Sequence, residues 1–182
     1  MTEGLAKEVE FIQTDITSAA AVHAAFRKPW DSSISHLPLT VFHTAAVILA
    51  SDRSTYLYSF PETVNVNGTR NVLAAAKVSG ADIFSSTSSA SISIRPVEPF
   101  CLATQPKNFW QILDEQDFSR PLRPLAEFFG TYPASKAVAE RLVCAENSQS
   151  FRTGCIRPAN GVYGKPTDNT VGGPLSTTVL PT

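Results

Sequence analysis

A tyrosine and a lysine four residues apart, Tyr132 and Lys136 in TYPASK, offer the first chemistry in the sequence. At the start of a helix such a pair lies on one side, one turn apart. A phenol with a pKa of about 10 is a poor acid–base catalyst at neutral pH, and a nearby ammonium stabilises the phenolate and draws that pKa toward a working range. The plainer alternative is a helix-start tyrosine packed on the stem of a solvated lysine. A second source of hydroxyls stands upstream in SSTSSAS, residues 85–91. Ser89 can hydrogen-bond a carbonyl or alcohol oxygen while Tyr132 exchanges its proton. The carboxyl edge of a parallel sheet is where open α/β folds place ligands, although a serine run can also simply end a strand.

These residues need a scaffold, and the hydrophobic patterning supplies one. EVEFIQTD (8–15) alternates as a short strand, and Thr17 or Ser18 can cap the following helix, in which Val22 and Phe26 share a face. After a loop over 28–38, the apolar run 39–43 reads as a buried strand entering Ala45 and Ala46. Residues 64–80 form a helix with Val72, Ala75, Ala76 and Ser79 on one face and Gly80 as its stop. A strand then begins at 81 and dissolves into serines. The span 95–131, rich in proline and aromatic residues, reads as a lid or substrate-side excursion, since a loop this long is uncommon in a compact domain. PASKAVAERLVCAEN (133–147) is a helix with Val138, Leu142 and Ala145 as its packed stripe, and RTGCIRP (152–158) is a last buried strand. The tail over 165–182 reads as irregular. This alternation predicts an α/β fold with a parallel sheet of three to five strands, the runs beginning at 39, 81 and 152 being neighbours. The Ser89 and Tyr132 hydroxyls are expected on one side of it.

The blocks TDIT, VFHTAA, VNVNGTRNVLAAAK, TSSAS, YPASK followed by AVAERL, and RPANGVYG, in that order, resemble the extended short-chain dehydrogenase/reductases of the 3-beta-hydroxysteroid dehydrogenase/isomerase type, fungal members in particular. The resemblance covers most of the chain. It implies a Rossmann-like parallel sheet flanked by helices and a nicotinamide cofactor, NAD or NADP. It also implies oxidoreduction of the CH–OH group of a steroid-like or other lipophilic alcohol or ketone, as in steroid biosynthesis. Carried over by position, Ser89 is the substrate-orienting hydroxyl, with Ser88 the register alternative, Tyr132 the general acid–base and Lys136 the residue that lowers its pKa and touches the nicotinamide ribose. Asn65 is the structural asparagine that helps hold the lysine and a water. Asp15 stands beside the adenine, Ala45 and Ala46 under the cofactor, and Pro158 with Ala159 beside the nicotinamide amide, while Asn160 lines the substrate side. Read on its own pattern, Asp15 is equally a helix cap, Asn65 a turn residue before a helix, and Pro158 a strand end.

The same resemblance marks what the 182 residues do not contain. There is no GxxGxxG, and Gly4 is the sole glycine before Gly68. Residues 1–182 are therefore expected to form one truncated NAD(P)-binding domain lacking the family's first two strands and most of its substrate domain. Either EVEFIQTD moves beside VFHTAA, or open sheet edges remain and invite self-association. Cofactor binding is expected to be weak or absent. Competing readings are a cofactor-independent acid–base enzyme, a non-catalytic binding domain, or an incomplete gene model of a longer dehydrogenase.

Composition narrows the remaining classes. With 15 Lys plus Arg against 16 Asp plus Glu, the net charge of -1 disfavours a nucleic-acid partner. No apolar stretch reaches the length of a membrane span, and the N-terminus has no apolar signal core, so a cytoplasmic address is expected. Charged residues are 17%, below the roughly 25% of an average soluble domain, leaving a weakly polar surface. Cys101, Cys144 and Cys155 have no metal-ligand spacing, and the last two read as core residues. His43, inside a buried strand, reads as a satisfied core histidine.

Overall fold

The structure, a computed structural model, describes residues 9–49, 52–97 and 110–159. Three parallel strands, β1 (Thr40–His43), β2 (Ile83–Thr87) and β3 (Arg152–Ile156), lie in the order β1-β2-β3. Helix α1 (Ala19–Phe26) precedes β1, α2 (Gly68–Val78) crosses from β1 to β2, and α3 (Thr131–Ala145) crosses from β2 to β3. The expected parallel sheet and the adjacency of its three runs are both present.

Register explains which side chains are buried. Val41 pairs with Phe84 and Phe84 with Thr153; His43 pairs with Ser86 and Ser86 with Cys155. Partners in a parallel ladder point to one face, so these six residues share the side that α2 and α3 cover. Phe84 is fully buried there with Val22, Val72, Leu73, Ala75, Ala76 and Val143. The opposite face carries Phe42, Ile83 and Ile156, all exposed.

Local chemistry sets the helix ends. Ser18, one of the two expected caps, accepts from the Ala21 N–H at 3.3 Å. Gly80 ends α2 at φ 75°, where its lack of a Cβ removes the steric cost, and the Ala81 N–H returns to the Ala76 carbonyl at 3.0 Å. Before α2, residues Glu62–Asn67 wind as a π-helix, a wider turn that the hydrophobic pattern does not announce.

Two expectations are corrected. Residues 9–15 form no strand: Val9, Phe11 and Ile12 are exposed, and the segment is tied instead by a Glu10–Lys28 ion pair. An extended segment becomes a strand only where a partner edge completes its ladder, and a cavity of about 450 Å³ lined by Val9, Ile12, Phe26 and Val41 lies between it and β1. The outer edge of β1 is therefore open, the second of the two arrangements anticipated. In α3 the packed side is Ala134, Ala137, Ala139, Glu140 and Val143, whereas Val138 and Leu142 are half-buried and Ala145 is exposed. Ala134 and Ala137 pack against Ile92 and Phe128 while Val143 joins Phe84 in the main core, so what α3 lies against, and not the larger aliphatic residues, sets its buried sides.

The excursion after β2 is pinned by specific bonds. Gln111 donates to the Arg95 carbonyl and accepts from its N–H, at 2.9 and 2.7 Å. Arg123 stacks 4.3 Å over Phe128 and donates to the Ile92, Ile94 and Glu127 carbonyls. Phe128 completes a second apolar cluster with Ile92, Ala134 and Ala137. The tail and Asn160 lie outside the described residues.

Candidate active site at the carboxyl edge of the sheet

The carboxyl ends of β2 and β3 are joined first by the main chain: the Ser88 N–H donates to the Ile156 carbonyl at 2.7 Å and the Ala90 N–H to the Pro158 carbonyl at 3.0 Å. This closure turns Ser89 out of the strand. Its hydroxyl pairs with that of Ser91 at 2.8 Å and accepts from the Ser91 N–H at 3.2 Å.

Gly130 precedes α3, and a Cβ there would stand 3.1 Å from the Asp52 carbonyl. That same carbonyl accepts from the Thr131 N–H at 2.9 Å and hydroxyl at 3.2 Å, which fixes the start of the helix. Tyr132 follows, half-buried, with the Ser89 hydroxyl close enough to its phenol to act on its ionisation. Burial holds the Tyr132 pKa above its ordinary value, and the Ser89 hydroxyl offsets part of that rise.

Lys136 is buried and donates its ammonium to the Thr87 carbonyl at the end of β2. Burial lowers its pKa, with Cys155 and Glu140 acting in the opposite direction. Its charge also reaches His43. The lysine therefore points inward beneath the strand ends, and in this arrangement burial, not the ammonium, dominates the Tyr132 phenol.

Asn65 acts as a strap. Its carbonyl accepts from the Val47 N–H at 2.8 Å, and its amide donates to the Val47 carbonyl at 3.0 Å and the Ser135 hydroxyl at 2.9 Å. Ser135 in turn donates to the Tyr132 carbonyl at 2.8 Å. The segment after β1 and the first turn of α3 are so tied through one buried side chain. Ser135 was not singled out by the sequence, although its place inside YPASK was a signal.

Other expected residues occupy simpler settings. Asp15 is exposed, and its carboxylate accepts from both the N–H and hydroxyl of Thr17, at 2.9 and 2.8 Å, which lowers its pKa. Ala45 is exposed and Ala46 half-buried beyond β1, while Pro158 and Ala159 are exposed beyond β3. His43 is a satisfied core histidine, as expected, with Nε2 2.9 Å from the Thr69 hydroxyl.

Ser88, the alternative register for the substrate-orienting role, is buried, and its oxygen is the one side-chain atom among the described residues that is buried without a partner. An unmet buried hydroxyl costs about 1–3 kcal/mol. Ser88→Ala is expected to leave stability unchanged or raise it by up to about 1–2 kcal/mol, read by urea denaturation. A loss of that size would show that the hydroxyl has a hydrogen-bond partner after all.

A nicotinamide cofactor can be tested against this edge. The unmet Ser88 hydroxyl, the small Ala45 and Ala46, and the Ser89–Tyr132 pair suit the redox end of such a molecule. For the pyrophosphate, the described glycines offer no open helix start: Gly68 is backed by the Ile16 side chain, 2.7 Å from where its Cβ would stand, and Gly130 faces Asp52. Among the described residues no helix is long and apolar enough to cross a membrane, and no cluster of three metal-ligating side chains occurs.

Comparison with known proteins gives the family and the fold. Residues 3–174 match the model of the 3-beta hydroxysteroid dehydrogenase/isomerase family. Over 133 residues, 72% of this chain, the sequence is 35% identical to a sterol-4-alpha-carboxylate 3-dehydrogenase, decarboxylating, of Gibberella zeae, of which that match covers 38%. Among solved structures, the UDP-glucose 4-epimerase of Thermus thermophilus in complex with NAD is similar over 83% of this chain and 41% of its own, with a TM-score of 0.58 and 22% identity. RMD from Pseudomonas aeruginosa, complexed with NADPH, is similar over 82% of this chain and 42% of its own, with a TM-score of 0.53 and 21% identity. The structural likenesses give the fold, and the family model and the sterol dehydrogenase give the kinship: the chain belongs to the 3-beta hydroxysteroid dehydrogenase/isomerase family.

Proposed function

We propose that this chain carries the acid–base centre of an NAD(P)-dependent oxidoreductase acting on the CH–OH group of a steroid-like substrate. The observation that carries the reading is the Tyr132 phenol lying beside the Ser89 hydroxyl, with Lys136 buried one helical turn further on, at the carboxyl edge of the sheet. The kinship to a sterol dehydrogenase supports the lipophilic alcohol or ketone as substrate.

In this reading Ser89 donates to the substrate oxygen, and Tyr132 holds the proton that this oxygen gains on reduction and loses on oxidation. Burial keeps the phenol protonated at neutral pH, which suits proton donation to a carbonyl. Asn65, through Ser135, positions the first turn of α3 and so fixes Tyr132. Lys136 would reach the nicotinamide ribose, Pro158 and Ala159 the amide, Ala45 and Ala46 the underside, and Asp15 the adenine. The nicotinamide supplies hydride-transfer chemistry when bound.

The 182-residue chain contains no glycine-rich turn for the pyrophosphate, and each charge-assisted bond so lost weakens binding by about 1.5–3 kcal/mol. NADH and NADPH are expected to bind this polypeptide with a dissociation constant above about 100 μM, read by nicotinamide fluorescence. A low-micromolar value overturns that expectation. The function itself is tested on the natural protein that contains this sequence, by deuteride transfer from 4-deuterated NADH or NADPH to a panel of ketosteroids and small polar ketones. Transfer favouring the ketosteroids supports it, and no transfer to any of them overturns it.

A further inference from the structure

Two thiols meet where the carboxyl-terminal half of α3 packs on β3. Cys155 shares the covered face of β3 with Thr153, two residues before it. Thr153 is clamped to the helix end twice: its hydroxyl donates to the Val143 carbonyl, and its N–H donates to the Asn147 side chain at 3.0 Å. Cys144 follows Val143 directly and Cys155 follows Thr153 by two residues, so both stand at this junction. Both are free thiols, both are half-buried, and each acts on the other's ionisation. Both line one wall of a cavity of about 650 Å³, with Ser93, Phe118, Glu140 and Arg157 around them.

We propose that Cys144 and Cys155 form an oxidisable dithiol that a hydroperoxide closes to a disulfide, covalently joining α3 to β3. The site is independent of the cofactor and substrate reading above. Cys144 is the attacking sulfur. Cys155 beside it, with Arg141 and Arg157 nearby, favours its thiolate and outweighs burial and the Glu140 carboxylate. Cys155 is pushed the other way by Cys144 and by burial, so it keeps its proton. Glu140 is itself held by Arg157, whose guanidinium donates to both carboxylate oxygens at 2.5–3.1 Å, which limits the carboxylate's repulsion of a thiolate.

The chemistry balances in two steps. The Cys144 thiolate attacks one oxygen of hydrogen peroxide, the O–O bond breaks, and the departing hydroxide takes up a proton as water, leaving Cys144 as a sulfenic acid. Cys155 sulfur then attacks the Cys144 sulfur, and its own proton leaves with the hydroxyl as a second water. Each sulfur is oxidised by one electron, and the peroxide accepts two electrons in all. Because both thiols face one cavity where α3 packs on β3, closing to an S–S bond of about 2.05 Å draws together groups that already share that wall.

The test uses the full chain carrying Cys101→Ser, which removes the remaining thiol. After a short exposure to stoichiometric hydrogen peroxide and alkylation of free thiols, the intact mass is expected to fall by about 2 Da. Trypsin cleaves after Arg152, so the two cysteines should appear in one cross-linked pair of peptides that dithiothreitol separates. Dimedone is expected to trap a sulfenic acid on Cys144 in the additional Cys155→Ser variant, and to leave Cys155 unlabelled in the Cys144→Ser variant. Recovery of both cysteines as separately alkylated or sulfinic species in the Cys101→Ser chain overturns the proposal, and so does trapping on Cys155 alone.

Discussion

Tyr132→Phe is expected to lower turnover by about 10²–10⁴-fold, the usual contribution of one positioned acid–base group, while leaving the fold in place. Ser89 acts on the phenol's ionisation, and it keeps Ser91 at 2.8 Å when the phenol is lost. The aromatic ring stays half-buried in either variant, so no cavity opens. Because burial holds the Tyr132 pKa above its ordinary value, the phenol is protonated throughout the neutral range. Carbonyl reduction should then be flat with pH near neutrality and fall only as the phenol ionises, whereas alcohol oxidation, which needs the phenolate, should climb with pH. Ser89→Ala removes the hydroxyl that holds the phenol's pKa down, and should move both limbs to higher pH as well as slow turnover. Steady-state rates in both directions across pH, on the natural protein containing this sequence, check this. Turnover by Tyr132→Phe within a few-fold of wild type would remove Tyr132 from the chemistry.

How much of this could be read from the sequence follows from how local each signal is. Apolar runs and helical spacing predicted three adjacent parallel strands and the helices that cross between them, because a strand buried on one face and a helix with one apolar side advertise themselves within a dozen residues. EVEFIQTD carried the same alternation and formed no strand, since a ladder needs a partner edge and alternation says nothing about whether one is within reach. The stripe on α3 was misassigned for a related reason. Val138 and Leu142 satisfy a hydrophobicity count, but Ala134 and Ala137 pack against Ile92 and Phe128 and Val143 joins Phe84, and what the helix lies against decided the face. At the site, TSSAS and YPASK were legible because their spacing is their chemistry. The Asn65 strap was half legible: its partner Ser135 lies 70 positions away, joined through a π-turn that hydrophobic periodicity does not encode. Cys144 and Cys155, eleven residues apart, read as two unrelated core residues until the strand register and the Thr153 clamp placed them at one junction.

Acidification from pH 7 to 4 is expected to cost about 3 kcal/mol of stability through His43 alone, following from about 1.36 kcal/mol per pH unit between its two pKa values. In the folded chain the pKa of His43 falls to about 4, first because burial penalises the imidazolium and second because the Lys136 charge repels it. Hydrogen bonding points the same way. Thr69 spends its single proton on the Asn65 carbonyl at 2.6 Å, so toward His43 it can only accept, and His43 Nε2 must be the donor. The neutral ring satisfies that bond already, and a second proton brings charge into the core without needing to make it. The unfolded chain binds its proton at about pH 6.5. Above that value both states are neutral and the full stability is present. Between about 6.5 and 4 the unfolded state takes up a proton the native state refuses, so stability declines as pH falls, and below about 4 the decline from this group ends. His43→Gln keeps an N–H that can face Thr69 and does not titrate, so the difference between its urea-denaturation profile and that of wild type isolates this term. The difference should be level above neutrality and slope only in that window. Lys136→Met should raise the His43 pKa by part of its depression and not all, since burial is the larger cause; proton NMR of the imidazole reads this directly. A wild-type profile parallel to that of His43→Gln from pH 7 to 4 would mean that the buried ring takes up its proton without cost, and that β1 packs against α2 loosely enough to admit water to the imidazole.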